Sequence, residues 1–231
     1  MKRFYKDVTV AEDAAGWRVM LDGRGIRTPA GRAQVVPTSV LAEAMAGEWA
    51  GQGEEIDPVA FVLRDMADYA IDVAAENRAL VLSETLPFAE TDTLCYRADP
   101  EDALYRRQLA VWEPVLARAE ARHGVKFERV SGIIHKPQPT ATLAKLGALL
   151  DEQSPYTLAA LHTLASLTAS LVIALEAIEP GADAETLWTV ADLEADWQAE
   201  LWGQDWEAQE RRARRLAAFG NAMLFARLAA V

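Results

Sequence analysis

The chain has 231 residues, with 51% hydrophobic and 25% charged side chains, which are ordinary values for a globular protein. Its single cysteine excludes an internal disulfide and any cysteine-based zinc site. The formal net charge of −12 disfavours a nucleic-acid partner, because phosphates attract lysine and arginine.

The N-terminal residues predict strands joined by a hairpin. Residues 4–10 and 17–21 alternate apolar and polar side chains, a period of two that is typical of half-buried strands. Asp22-Gly23 lies between apolar runs and predicts a tight turn. A phosphate-binding loop at the glycines that flank Arg24 is disfavoured, because such a loop precedes a helix rather than a strand.

Two further short strands and one helix complete the predicted N-terminal domain. The strands are expected at residues 26–28 and 34–36, and Thr38 or Ser39 is expected to cap the helix. We therefore predict an N-terminal β-rich domain with one helix at residues 1–57.

The remaining residues, 58–231, predict a larger helical C-terminal domain, so the fold class is α+β with a small β-containing domain first. Pro114 is expected to kink or restart its helix. Residues 125–134 are a candidate extra strand that could return to the N-terminal sheet. The predicted helices are 60–85, 101–123, 138–151, 156–178, 184–202 and 205–229.

One segment, residues 156–175, has the length of a membrane span and contains no formal charge. It also contains six threonine, serine or histidine side chains, and no basic residue flanks it to set an orientation. We therefore interpret the segment as a buried core helix. Residues 1–7 show neither a secretory signal nor a transit peptide, so the expected location is cytoplasmic.

The sequence contains no motif that specifies an enzyme. The three histidines are widely separated, and none stands in a metal-binding spacing with another ligand. No serine or cysteine lies in a nucleophile elbow. We predict no catalytic residue, no metal and no cofactor.

The most unusual feature is an acidic region near the C-terminus. Between Lys145 and Arg211 there are thirteen acidic side chains and no lysine or arginine. The same region contains the densest aromatic cluster of the chain, at residues 193–206. Localised acid beside aromatic side chains is typical of a surface that contacts a partner.

The angular position of each residue around the predicted helix 184–202 follows from a rotation of 100° per residue. Glu194 and Gln198 fall in the middle of its apolar arc, where an unpaired carboxylate costs several kcal/mol to bury. Glu194 is therefore either functional or paired with an arginine such as Arg64 or Arg97. The apolar arc spans about 140° and comprises Leu187, Val190, Ala191, Trp197, Leu201 and Trp202. The opposite, solvated face comprises Glu185, Asp192, Asp196 and Glu200.

Several segments together resemble a known family, the ATP synthase assembly chaperones that act on the alpha subunit (the "ATP twelve" family). Each segment alone is weak, but their order and spacing extend over some 200 residues. The segments are Arg3-Phe4-Tyr5-Lys6, Leu21-Asp22-Gly23-Arg24, Thr28-Pro29, Val36-Pro37-Thr38, Leu41-Ala42-Glu43-Ala44, Glu48-Trp49-Ala50-Gly51-Gln52, Ile56-Asp57-Pro58, Thr91-Asp92-Thr93-Leu94-Cys95-Tyr96-Arg97, Gln108-Leu109-Ala110-Val111-Trp112-Glu113-Pro114, Leu193-Glu194 to Gln198, and Trp202-Gly203.

The resemblance implies a non-enzymatic chaperone that binds the free alpha subunit of the F-type ATP synthase and prevents its aggregation before it pairs with beta. Eukaryotic relatives would lie in the mitochondrial matrix. The resemblance also assigns importance to Glu194 in its Leu-Glu-x-x-aromatic-Gln motif, whereas Gln204 stands where a second acid is expected. The predicted partner-binding residues are Glu194, Gln198, Trp202 and Trp206.

Two other functions remain open from the sequence. One is a small-ligand enzyme with a site between the two domains, in which Glu194 is a buried acid or base. The other is an acidic mimic that blocks a basic surface, whose binding would disappear in moderate salt.

Overall fold

The computed structural model describes residues 1–132, 136–203 and 206–230. Contacts between these residues group the chain into two compact units. The first unit comprises the described residues of Met1–Val81, Gln153–Ala160 and Leu224–Val231, and the second those of Leu82–Glu152 and Leu161–Met223. The boundary at residues 57 and 58 stays a prediction, because grouped contacts do not show which segments fold alone.

The first unit contains a three-stranded antiparallel sheet in the order β1 (Val8–Asp13), β2 (Gly16–Leu21) and β3 (Arg24–Gly25). Asp22 and Gly23 connect β2 to β3 with φ values of 47° and 74°. Positive φ at both central positions is the geometry of a primed hairpin turn. The hairpin prediction is confirmed.

The first strand begins at Val8 rather than at residue 4. The Asp22 side chain accounts for the difference, because its Oδ1 accepts the backbone N–H groups of Lys6 and Asp7 at 3.0 and 2.8 Å. The N–H groups of Lys6 and Asp7 therefore donate to a carboxylate and not to a neighbouring strand. The strand predicted at residues 34–36 is reduced to a single bridge between Val36 and Trp17.

Helix α1 (Ser39–Ala50) contacts both β1 and β2. Thr38 caps it as predicted, since its side chain accepts the Leu41 N–H at 3.2 Å. Met45 and Trp49 are buried, and the Tyr5 hydroxyl donates to the Trp49 carbonyl at 2.6 Å. This packing forms the core of the first unit.

Helices dominate the rest of the chain, and the α+β class with a small N-terminal sheet is confirmed. The helices are α2 (Val62–Tyr69), α3 (Arg78–Thr85), α4 (Pro87–Glu90), α5 (Ala103–His123), α6 (Thr140–Asp151), α7 (Pro155–Thr168), α8 (Leu171–Ala177), α9 (Ala184–Ala191), α10 (Leu193–Trp202) and α11 (Trp206–Ala229). Short 3₁₀ turns lie at Pro58–Ala60 and Thr93–Cys95, and a π-helical turn lies at Ala70–Ala74.

The helices predicted at residues 60–85 and 101–123 differ from the structure in where they are interrupted. The helix predicted at residues 60–85 is divided after the π-helical turn, where the Ala75 N–H bonds the Ala70 carbonyl at 2.9 Å. Conversely, α5 does not restart at Pro114. Buried residues on both sides of the proline, Trp112 and Val115, hold the helix against its neighbours despite the missing backbone donor.

The extra strand forms, but it does not return to the N-terminal sheet. β5 (Val130–Ser131) pairs in parallel with β4 (Tyr96–Arg97) in the second unit. The segment before β5 is held by side chains, because Glu120 accepts the Phe127 N–H at 2.8 Å. Residues 133–134 of the predicted strand lie outside the described residues.

The uncharged segment at residues 156–175 is divided between α7 and α8. Ala169 between them has a φ of 49°, and the Ser170 side chain accepts the Ile173 N–H at 3.0 Å, which starts a new helix. Every residue of α8 is buried, in agreement with the core interpretation. Among the described residues, no helix is long and apolar enough to cross a membrane.

Candidate partner-binding surface

The helix predicted at residues 184–202 is two helices, α9 and α10, with Asp192 between them. Asp192 has φ −96° and ψ 11°, which lies outside the helical region and ends α9. The angular interpretation assumed one continuous helix, so it placed the α10 residues on the wrong side.

The observed exposure on α10 differs from the prediction at four positions. Glu194 and Gln198 are exposed rather than buried, and Leu201 and Trp202 are 57% and 78% exposed. On α10 alone these four side chains fall within an arc of about 100°. We refer to Glu194, Gln198, Leu201 and Trp202 as the α10 stripe.

Glu194 is exposed, yet its side chain is held by the protein. Its Oε1 accepts a hydrogen bond from Nε2 of Gln108 on α5 at 2.7 Å. Gln108 is completely buried, so the bond ties a surface carboxylate to the core of the second unit. Sequence reasoning missed this residue, although Gln108 opens one of the segments that carry the family resemblance.

The ion pairs proposed for Glu194 are wrong. Arg97 pairs with Glu113 at 3.1 Å, and its guanidinium is almost fully buried. Burial lowers the pKa of Arg97, and the Glu113 carboxylate opposes that effect. Arg64 donates to Asp65 at 2.8 Å. Both arginines therefore bind other carboxylates.

Most acids placed on a solvated face are paired with arginines. Arg107 of α5 bonds Glu200 at 2.7 Å. Arg212 of α11 bonds Asp192 at 3.0 Å and Asp196 at 3.1 Å. The acidic region thus looked unpaired in the sequence because its cations come from helices outside it.

Glu194 differs from these acids. Within the part of the chain that the structure describes, no lysine, arginine or histidine lies at ion-pair distance from its carboxylate. A neutral amide fixes the side chain, and its negative charge remains available to a partner.

The tryptophans of the second unit differ in exposure. Trp112 and Trp188 are buried, and Trp197 is half-buried beneath Arg107, whose guanidinium carbon lies 5.5 Å from the ring centroid. Trp202 and Trp206, in contrast, are 78% and 66% exposed. Large exposed aromatic side chains mark interaction surfaces. Residues 204–205, which include the position of the expected second acid, lie outside the described residues.

A small cavity of about 200 Å³ lies between α10 and the start of α11. Ala195, Ala199 and Ala208 contribute short side chains to its wall, beside the Trp188 ring. The Trp188 indole nitrogen has no hydrogen-bond partner among the described residues. The cavity has room for one apolar side chain.

The first unit contains a larger cavity of about 710 Å³ that no sequence pattern indicated. Phe4, Tyr5 and Trp49 line it, together with Asp68. Desolvation raises the pKa of Asp68 to about 6, although its Oδ1 accepts from the Gln34 amide at 2.5 Å. Among the described residues, no cluster of histidine, cysteine and acidic side chains could hold a metal ion.

Comparison with known proteins identifies the family. The family model described as ATP12 chaperone protein matches residues 2–120, slightly more than half of the chain. The chain belongs to the ATP12 chaperone family. The match includes Gln108 and ends before α10, so it does not bear on the residues of the α10 stripe.

Relatives of the ATP12 family resemble the chain over most of its length. Protein atp12, mitochondrial, of Schizosaccharomyces pombe is 24% identical over 221 residues, which are 90% of this chain and 76% of that protein. The crystal structure of Atp12 from Paracoccus denitrificans is 36% identical with a TM-score of 0.94, covering 99% of this chain and 98% of that one. A protein from Agrobacterium tumefaciens is 41% identical with a TM-score of 0.92, covering 98% of this chain and 85% of that one.

The comparisons confirm the predicted family and fold class. ATP12 proteins are chaperones of ATP synthase assembly, so the chaperone class and a partner within the ATP synthase follow from membership. The match does not identify which subunit of the ATP synthase is the partner.

Proposed function

We propose that the protein binds the free alpha subunit of the F-type ATP synthase and prevents its aggregation before alpha pairs with beta. In this function it is a chaperone and not an enzyme. Membership of the ATP12 family supports the proposal. The α10 stripe is the candidate binding surface, and this observation carries the proposal. There, exposed apolar side chains accompany a carboxylate that is fixed by a hydrogen bond and has no cationic partner among the described residues.

The physical basis is the exposed interface of an unpaired subunit. An obligate complex buries large apolar faces, and a free subunit exposes them to aggregation. Leu201, Trp202 and Trp206 provide exposed apolar area that could cover such a face. Aromatic anchors beside polar side chains are typical of the residues that dominate binding energy.

The exposure of Glu194 disfavours the alternative of a small-ligand enzyme. That alternative required a buried Glu194, whereas the side chain is exposed. We propose a cytoplasmic location, and the relative from Schizosaccharomyces pombe is named as mitochondrial. We propose no nucleic-acid partner, since the charge is strongly negative.

Co-expression tests the proposed function. The alpha subunit is produced without beta, with and without this protein, and the cleared lysate is analysed on a sizing column. We expect alpha to stay in solution and to elute with the protein as one complex. If alpha remains insoluble in both cultures, or elutes separately from the protein, the proposed function is wrong.

A further inference from the structure

Both the nitrogen and the oxygen of the Gln108 side-chain amide make hydrogen bonds within the protein. Its Nε2 donates to Glu194, and its Oε1 accepts the Ala98 N–H at 2.8 Å. Its backbone carbonyl accepts from the buried Arg97 guanidinium at 2.9 Å. Because Gln108 is completely buried, rotation of the amide would leave the Ala98 N–H without its partner. The amide therefore offers its N–H group in one direction only.

This arrangement changes the character of Glu194. An exposed glutamate ordinarily samples several rotamers, and ordering it on binding costs conformational entropy. The bond from Gln108 orders the side chain before any partner arrives. One carboxylate oxygen receives that bond, and the other has no hydrogen-bond donor among the described residues. The result is a preorganised anion on an accessible helix face.

We propose that Gln108 is a positioning residue that holds Glu194 as the acceptor for a cationic side chain, a guanidinium or an ammonium group, of the partner subunit. The inference rests on the proposed function, because it assigns a role within the same surface. Carboxylates bind these cations through charge-assisted hydrogen bonds, which are stronger than neutral ones. Gln198 and Trp202 lie one and two helical turns further along, about 6 and 12 Å away, and would contact the residues beside that cation.

A double-mutant cycle tests the positioning role. The measured quantity is the concentration of the protein that halves light scattering by refolding alpha subunit. We expect Gln108→Leu and Glu194→Ala each to raise this concentration about tenfold. The double variant should be no weaker than Glu194→Ala alone, because Gln108 acts through Glu194. Multiplication of the two effects would overturn the positioning role.

Two further variants separate positioning from folding and from charge. Gln108→Glu keeps an oxygen for the Ala98 N–H but cannot donate to the ionised Glu194, so it should weaken binding even if Gln108→Leu unfolds the protein. Glu194→Gln keeps the shape and removes the charge, and we expect about the same loss as Glu194→Ala. Binding equal to wild type in Gln108→Glu contradicts the positioning role, and in Glu194→Gln it contradicts the cationic partner group.

The outcomes also separate this inference from the proposed function. If the wild-type protein does not suppress the scattering of alpha at any concentration, the proposed function fails. If the wild type suppresses it and the cycle is multiplicative, alpha is the partner and only the role of Gln108 is wrong.

Discussion

Glu194 is the residue on which the partner-binding surface most depends. We expect Glu194→Lys to abolish the rescue of co-expressed alpha subunit, because the substitution replaces an unneutralised anion with a cation. The side chain is exposed, so the fold should tolerate the change. Far-ultraviolet circular dichroism and soluble alpha, measured on the same preparations, check both halves of this expectation.

Glu185→Lys is the matched control for that experiment. Glu185 lies in the same acidic region, is exposed on α9 and undergoes the same change of charge. It should leave the rescue intact. Loss of rescue in both variants would show that net charge, rather than the α10 stripe, governs the effect. Loss of helical signal in Glu194→Lys would assign the residue a structural role instead.

Asp68 makes stability depend on pH. Burial raises its folded-state pKa to about 6, above the ordinary 3.8, so the folded state binds the proton more tightly than the unfolded chain. The stability contributed by that proton is complete below about pH 4 and is lost as the pH rises through about 6. We expect Asp68→Asn to reduce this decline by about 1 kcal/mol, after allowance for solvent screening.

Urea unfolding at about pH 4.5 and pH 7 measures this decline. The Asp68→Asn variant keeps an oxygen that can accept from Gln34, so it should be as stable as wild type at pH 7 or more stable. An unchanged pH dependence would mean that Asp68 is ionised in the folded protein without penalty.

At the scale of elements, Asp92 shows that a raised pKa does not predict the effect of substitution. Desolvation raises the pKa of Asp92 to about 6 as well. However, both of its oxygens are used: Oδ1 accepts the Leu94 N–H at 3.1 Å and Oδ2 accepts the Val172 N–H at 2.9 Å, at the start of α8. We expect Asp92→Asn to lower the free energy of unfolding by about 1–3 kcal/mol, since an amide group would face an N–H donor.

Thermal and urea unfolding at pH 7 check this expectation, with Asp68→Asn as the comparison. The two carboxyls share the direction of their pKa shift and differ in the number of backbone donors that they satisfy. Equal stability of Asp92→Asn and wild type would mean that relief from burying the charge outweighs the lost hydrogen bond.

The sequence predicted those features of helices and strands that depend on neighbouring residues, and it did not predict those that depend on tertiary contacts. Thr38 and the Asp22-Gly23 turn were predictable, because a cap and a primed turn depend on neighbouring residues. The break at Asp192 was not predictable from periodicity, since residues 184–202 are compatible with one helix. The angular interpretation across that break predicted Glu194, Gln198, Leu201 and Trp202 on a buried arc, whereas all four are exposed.

The same distinction applies to the candidate site. Glu194, Gln198, Trp202 and Trp206 were predicted as partner-binding residues, and all four are exposed. Glu194 was chosen partly for an incorrect reason, since its predicted burial is wrong. The anchor from Gln108 could not be predicted, because it joins residues that lie 86 positions apart. A contact over that distance depends on how α5 and α10 pack, which no local pattern records.

At the scale of the molecule, the acidic region carries less unpaired negative charge than its composition suggests. The arginines of α5 and α11 neutralise several of its acids inside the second unit. A mimic that blocks a basic surface would need many free carboxylates, whereas the proposed surface has tryptophans and one free carboxylate. Salt therefore distinguishes the two functions, because ions screen exposed charges and leave apolar contacts intact.

We expect the complex with alpha subunit to weaken by less than about tenfold when sodium chloride rises from about 0.05 to 0.5 M, since salt screens the ion pair of Glu194 only in part and leaves the apolar contacts intact. Pull-down of alpha by immobilised protein at both salt concentrations measures this. Trp202→Ala should lower the recovery at both concentrations alike, because its contribution is apolar. Disappearance of the wild-type complex at the higher concentration would instead favour the acidic mimic and remove the tryptophans from the binding surface.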